Sequence, residues 1–383
     1  MKILIVCDVL GEENNGTTVA AMNLIRFLKS RGHDVRVLCA DSNRRGEKGY
    51  YVVDNLHFGK LIDKYIAKVG VSLAKPVRDV IESALDGVDA VHVMLPFALG
   101  VAAAKYAKER GLPVTAGFHC QAENITSYIK VNKSKLINRL VYKVIYHKLY
   151  KHVDAIHYPT EFIKRTFEQN IGKTTCGYVI SNGVNKRVYK REVEKPTELK
   201  DRFIITTTGR YAREKSQDTL IKAVAKSKYK DKIAVILAGQ GIKEKYYRKL
   251  AEKLGVFTEF RFFDRDEIVD VLNYSDMYVH PAEMELEGIA CLEAIACGKL
   301  VIVSDSKLSA TKEFAVDDKC VFKNRDPKDL ARVIDYFMSN KELIDEYGEK
   351  YLKSAHVYDQ EACMEKMEEM IKEVCSRVQK KEG

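Results

Sequence analysis

Short apolar runs of strand type alternate with helical stretches along this chain of 383 residues, and the alternation happens twice. In the first run, strands read at Ile3–Asp8, Asp34–Ala40, Ala90–Leu95, Pro113–His119, Ala155–Tyr158 and Tyr178–Ser181. Helical stretches such as Thr18–Arg31 and Leu99–Arg110 fall between them. The second run has strands at Phe203–Thr208, Ile233–Ala238, Glu259–Phe263, Met277–His280, Leu300–Ser304 and Cys320–Phe322. Such alternation builds parallel sheets covered by helices, an α/β architecture. The polar segment Asn185–Asp201, with Pro196 and little apolar pattern, reads as a linker. The expected fold is therefore two doubly wound, Rossmann-like domains facing across a cleft, where ligands usually sit.

Composition narrows the class. A hydrophobic content of 46% and seven prolines describe a globular chain with cores in both halves. Nine cysteines are scattered without CxxC or Cys/His ligand spacing, several in apolar strands where Cys acts as a small hydrophobe. Metal and disulfide frameworks are poorly supported, and a reducing cytoplasm fits. The opening apolar run has no cleavage site and reads as a strand, not a signal peptide. No apolar stretch approaches the ~20 residues needed to cross a bilayer. The net charge of +10 is consistent with phosphorylated substrates, anionic membrane or nucleic acid, and its location decides among them.

The segment 277–305, MYVHPAEMELEGIACLEAIACGKLVIVSD, carries the most chemistry. An apolar strand, Met277 to His280, meets an acidic turn; a helix of small residues opens at Gly288, and a buried strand follows. Helix N-termini present unpaired N–H groups and a positive dipole end, which hold phosphate. Gly288 lets that phosphate approach the backbone. Glu285 and Glu293 bracket the helix start, with seven residues between them. That layout suits a sugar joined through a diphosphate to a nucleoside. The first strand is not followed by GxGxxG, and Gly239-Gln240-Gly241 lacks the third glycine, so a dinucleotide fingerprint is absent.

The Glu285/Glu293 segment resembles the E-x7-E signature of retaining glycosyltransferases of family 4, which have the GT-B fold. The segment TTTGRYAREK adds the family's Gly-Arg followed by Lys, here Gly209, Arg210 and Lys215. The resemblance implies that Arg210 and Lys215 meet the donor diphosphate, Arg as a planar fork and Lys as a mobile point charge. Both would stabilise the leaving nucleoside diphosphate. It further implies Glu293 on the ribose hydroxyls, Glu285 beside the hexose and the reacting carbon, and Gly288 and Ile289 at the phosphates. The base would rest near Phe262 and Phe263. His119, at a strand end, matches a family position that contacts a donor-sugar hydroxyl. Of the glycine-rich first loop (Asn14, Asn15, Gly16), only Gly16 carries over, because Asn15 stands where Gly is common.

Three other positions depart from the family: Asp264 replaces Gly, Lys299-Leu300 stands where Pro is common, and Glu287 replaces an apolar residue. Glu287 is expected to face water. No metal or other cofactor is expected, because two cations and a helix start supply the charge a divalent ion would bring. No general base is assigned; the departing β-phosphate oxygen would take the acceptor proton. The domains implied are 1–185 for acceptor and membrane, 186–357 for the nucleotide sugar, and a helix, 358–383, returning to the first domain.

Between Glu123 and Asp154 no acidic residue occurs, against seven Lys and Arg: Lys130, Lys133, Lys135, Arg139, Lys143, Lys148 and Lys151. From Lys135 on, the stretch reads as a helix whose apolar side is Ile137, Leu140/Val141, Val144/Ile145 and Leu149. Lys135, Arg139, Lys143, His147 and Lys151 form a cationic row, and Tyr142, Tyr146 and Tyr150 a third row. These rows suit the headgroup layer of an anionic membrane. No nucleic-acid motif accompanies them. The whole chain is similar to bacterial diacylglycerol glucosyltransferases of the family. That resemblance implies transfer of glucose from a UDP-sugar to a lipid acceptor, 1,2-diacylglycerol, on the inner face of the cell membrane. The alternatives are a soluble family 4 enzyme acting on a sugar, a cell-wall precursor or a phosphoinositol lipid, and a membrane- or nucleic-acid-binding module with an inactive site. A nucleotide-sugar epimerase of the same architecture is a further alternative.

Overall fold

The structure is a computed structural model that describes all residues except 12–15, 58, 60–72, 128–130, 132–133 and 383. Asn14, Asn15, Lys130 and Lys133 thus lie outside the described residues. The chain divides into two compact units, Met1–Asn182 with Glu361–Gly383, and Gly183–Gln360.

In the first unit, β1 (Lys2–Cys7), β2 (Asp34–Cys39), β3 (Tyr50–Val52), β4 (Ala90–Val93), β5 (Val114–Gly117), β6 (Ala155–Tyr158) and β7 (Gly177–Val179) form one sheet. Its order is β3-β2-β1-β4-β5-β6-β7, and all pairs are parallel. Helices on both faces explain why these strands read as continuous apolar runs. β3 was missed because Tyr-Tyr-Val is too short to show a period. The strand order reverses between β1 and β4, where doubly wound sheets open a crevice. There the buried Asp8 accepts the N–H groups of Leu99 and Gly100, at the start of helix Ala98–Glu109. Burial pushes the Asp8 carboxyl up to about 7, although those N–H groups pull the other way.

The last helix, Gln360–Glu382, belongs to this unit. Met364, Met367, Met370 and Ile371 share a core with Ile3, Ile5 and helix Gly16–Ser30. Its Glu368 is 5% exposed and binds His33 Nε2 at 2.9 Å, Arg31 at 3.3 Å and Lys372.

In the second unit, β8 (Phe203–Thr208), β9 (Ile233–Ala238), β10 (Thr258–Arg261), β11 (Met277–His280), β13 (Leu300–Ser304) and β15 (Val321–Phe322) run parallel in the order β10-β9-β8-β11-β13-β15. A two-residue pair, β12 (Met284–Glu285) with β14 (Leu308–Ser309), lies outside that sheet. The order reverses between β8 and β11, the strands that lead into the Arg210 loop and the Glu285 turn.

The segment 185–201 is not a free linker. Leu199 is buried in a small core with Ile204, Ala234 and Phe263, and Val188 and Tyr189 pack against the main core of this unit. Lys195 pairs with Asp276 at 2.6 Å, Arg191 with Asp270 at 2.5 Å, and the Lys190 N–H donates to the Ala296 carbonyl. Of the charges that suggested a solvated tether, Lys186, Lys190, Arg191 and Lys195 have partners on this unit.

All nine cysteines are free thiols. Among the described residues no helix is long and apolar enough to cross a membrane.

Candidate active site

The site of the second unit is built where β8 and β11 end. After Thr208, Gly209 turns the chain at φ +140°, and Arg213–Lys215 forms one 3-10 turn. Ser216 follows in the left-handed region (φ +52°), unusual for a residue with a side chain, and helix Gln217–Val224 begins. This loop is pinned from below. Gln217 Nε2 donates to the Arg210 carbonyl at 2.9 Å, and Tyr247 Oη donates to the Ala212 carbonyl at 3.0 Å.

The neighbouring glycines explain how closely the loops pack. A Cβ on Gly239 would stand 2.1 Å from the Gly209 carbonyl oxygen, and one on Gly241 2.7 Å from that of Tyr211. The Gly-Gln-Gly run after β9 is therefore a shelf for the Arg210 loop, a role its resemblance to a weak dinucleotide motif concealed.

The turn after β11 is stitched to the same loop by a main-chain bond, Glu283 N–H to the Glu214 carbonyl at 2.7 Å. Ser306 Oγ holds the Glu283 carbonyl at 2.6 Å from the other side. This stitching brings Lys215 Nζ onto Glu285 Oε1, an ion pair whose side chains are 22% and 12% exposed. His280 Nε2 lies 3.0 Å from the same oxygen. Burial alone would raise the Glu285 pKa, but the Lys215 charge and the His280 hydrogen bond outweigh it and hold it at about 2. His280 was not singled out from the sequence; its signal is a histidine in an otherwise apolar strand, five residues before Glu285.

Helix Ile289–Ala296 opens at Gly288, whose φ of +89° favours glycine and whose Cβ would meet Thr311 Cγ2 at 2.6 Å. Gly288 brings no capping side chain to this helix, so its first N–H groups and dipole end suit an anion. Glu293 lies on the same helix, half-buried, and its carboxylate takes no hydrogen bond among the described residues. Burial pushes its carboxyl up to about 7, partly offset by Arg265.

Other expected residues fall differently. Arg210 is exposed, with Glu214 3.6 Å away. Phe263 is buried in the core, whereas Phe262 is 61% exposed. Asp264, in place of the family glycine, caps helix Arg265–Tyr274 through a reciprocal capping box with Glu267. Glu287 does not face water: it is 4% exposed.

Gly16 and His119 belong to the first unit. Gly16 is exposed and opens helix Gly16–Ser30. The His119 ring folds back over Gly117, where a Cβ would stand 2.6 Å from its Nε2. His157 packs edge-on against it, with ring centroids 5.5 Å apart. Burial, with His157 and His92 adding, holds the His119 pKa well below its usual range, so the ring is neutral. Its Nε2 is buried without a hydrogen-bond partner among the described residues.

Helix Lys135–Lys148, capped by Ser134, splits the stripe expected as one apolar side. Ile145 and Leu149 point inward, whereas Leu136, Leu140, Val144 and Ile137 are 79%, 61%, 41% and 36% exposed. Lys135, Arg139, Lys143, His147, Lys148 and Lys151 are exposed as well. The tyrosine row is a correction. Tyr142 is fully buried, donates to Glu123 Oε2 at 2.6 Å and stacks near Phe118, and the half-buried Tyr146 packs on Phe167. Tyr150 donates to the Gly117 carbonyl at 3.0 Å. The tyrosines face inward because Glu123 and the Phe118–Phe167 cluster take them.

The family model described as Glycosyltransferase Family 4 matches residues 14–187, and that described as Glycosyl transferases group 1 matches 189–353. The chain is 24% identical over 363 residues to an uncharacterized glycosyltransferase of Methanocaldococcus jannaschii, covering 91% of this chain and 92% of the relative. It is similar to HepE of Anabaena, solved with UDP-glucose, at a TM-score of 0.76 and 16% identity over 97% of this chain and 100% of that one. The catalytic domain of a cholesterol-alpha-glucosyltransferase from Helicobacter pylori is 45% identical over 41% of this chain and 98% of that domain, at a TM-score of 0.40.

Proposed function

Since the chain belongs to the glycosyltransferases, with a family 4 half followed by a group 1 half on the GT-B fold, we propose that it transfers glucose from UDP-glucose to a membrane lipid, 1,2-diacylglycerol, with retention of configuration. The observation that carries the lipid acceptor is the outward row Leu136, Leu140 and Val144, set among exposed cations. Apolar side chains on one helix face gain only where an apolar phase receives them, and each cation near an anionic surface adds about 1 kcal/mol. HepE, which shares the fold, was solved with UDP-glucose, and this supports a uridine donor.

In this reading the second unit binds the donor. Arg210, Lys215 and the N–H groups after Gly288 take the diphosphate, Glu293 the ribose hydroxyls, and Glu285 the hexose hydroxyls. From the first unit, the proposal assigns His119 to the hexose and Gly16 to the phosphates. The bond from the anomeric carbon to the β-phosphate oxygen breaks, and the acceptor oxygen attacks from the same face. The acceptor proton passes to the departing phosphate oxygen, so no side-chain base is needed. Lys215 and Arg210 offset the growing negative charge, and we include in the proposal that no metal ion is required. The enzyme works peripherally on the inner face of the cell membrane.

Vesicles of phosphatidylglycerol with and without diacylglycerol test the reading. Sedimentation with both, reversed by high salt, and UDP release only with diacylglycerol support it. A chain that ignores vesicles and turns over with a water-soluble acceptor is instead a soluble transferase.

A further inference from the structure

The donor reading leaves one buried group beside Glu285 without a task. His280 ends β11 and is 2% exposed. Its Nε2 lies 3.0 Å from Glu285 Oε1, and its Nδ1 lies 3.2 Å from the Tyr278 oxygen. That oxygen in turn lies 2.9 Å from Thr208 Oγ1. Thr208 is the residue before Gly209, so a row of hydrogen bonds runs from the root of the Arg210 loop to Glu285.

The row has a direction. Glu285 is held ionised by Lys215 and His280, although burial opposes this, and an ionised carboxylate only accepts. His280 Nε2 therefore carries a hydrogen and donates it to Oε1. With Nε2 carrying that hydrogen, Nδ1 can accept the Tyr278 hydroxyl, whose oxygen can accept from Thr208. Lys215 binds Oε1 as well, so one Glu285 oxygen takes two protein groups and Oε2 takes none among the described residues.

The two partners of Oε1 are not equivalent. Lys215 brings a point charge on a flexible stem, which attracts without fixing an angle. The His280 ring is rooted in a fully buried strand, anchored at its far nitrogen, and 3.8 Å from where a Gly288 Cβ would stand. It bears on both the carboxylate and the helix start.

We propose that His280 is a positioning residue of the transfer: it holds the Glu285 side chain in one rotamer, with Oε1 committed to the protein and Oε2 presented to the hexose hydroxyls. The inference rests on the reading of Glu285 as a hexose-binding group. Neither partner alone suffices, because a carboxylate tied only to Lys215 follows the lysine wherever the diphosphate draws it.

His280→Leu and His280→Gln in the full chain test this, since the glutamine amide nitrogen restores a donor near the place of Nε2. With UDP-glucose as donor, His280→Leu lowers kcat about 100-fold, the cost of misplacing a group by roughly 1 Å. Binding of UDP, which has no hexose, stays unchanged by calorimetry. His280→Gln recovers about tenfold of that loss, and Tyr278→Phe, which removes only the far anchor, costs less than His280→Leu. Wild-type kcat in His280→Leu overturns the proposal, as does a glutamine variant no better than leucine while both bind UDP. If the leucine variant no longer binds UDP, the glutamine variant and Tyr278→Phe decide the matter alone: wild-type kcat in both overturns the proposal. Failure of the underlying reading looks different, because Glu285→Gln would then keep full turnover.

Discussion

Lys215 and Glu285 form an ion pair between two loops that leave neighbouring strands, 70 residues apart in sequence. The Glu283–Glu214 main-chain bond sets their approach, and both side chains are mostly buried. On the proposed reading, a lysine at the diphosphate therefore stays in register with the carboxylate at the sugar.

Removing that cation tests its task. Lys215→Met lowers kcat by about 10²–10³, the range for losing one preorganised charge at a leaving group. Initial rates of UDP release from UDP-glucose measure it. A loss confined to KM would mean that Lys215 serves binding alone.

With Glu293 on the ribose, as proposed, donor binding depends on pH. Its carboxyl is raised to about 7 by burial, and only the ionised form accepts from two ribose hydroxyls at once. UDP affinity rises as pH climbs through about 7 and levels off above it, with proton release on binding below it. Calorimetry in two buffers of different ionisation enthalpy detects that proton. Glu293→Gln binds more weakly and without the pH dependence. Because the folded-state pKa is raised, the native fold is favoured below the ordinary carboxylate range and loses that stability as pH rises through about 7.

Glu368 has the opposite sign. Burial would raise its pKa, but Lys372 and His33 outweigh it and hold it at about 2. The stability this contributes is complete above the ordinary glutamate range and is lost as pH falls through about 2. Glu368→Gln costs about 2–3 kcal/mol at neutral pH and flattens the acid limb of the unfolding curve. Urea melts across that range measure both.

The proposed membrane face separates outward from inward residues on one helix. Leu136→Asp with Leu140→Asp lowers vesicle partitioning at least 100-fold, since each leucine contributes roughly 2 kcal/mol when buried. Melting temperature stays unchanged, because both residues are exposed. Tyr142→Phe does the reverse: it strands Glu123, lowers stability by about 1–3 kcal/mol, and leaves partitioning intact.

Much of this was legible in the residues. The strands around the site were readable because β8, β9, β11 and β13 are unbroken buried runs, and Gly288 marks a helix start. The Lys215–Glu285 pair was not, because its geometry depends on a main-chain bond between distant loops. Helix periodicity placed Tyr142 on a row of its own but gave no sign that Glu123 and Phe118 lay inside to receive it. Charge misled at 185–201, where Lys195 and Arg191 look solvated until Asp276 and Asp270 are found opposite them. Glu287 misled likewise, since a carboxylate in an acidic turn reads as exposed.

The most direct test supplies UDP-glucose labelled in the sugar to vesicles of phosphatidylglycerol containing diacylglycerol, with a chelator present. The account predicts label in the organic phase as an α-linked glucosyl lipid, its anomeric configuration read by NMR and its rate unaffected by the chelator. Label that stays in water with every lipid, or a β-linked product, would contradict it.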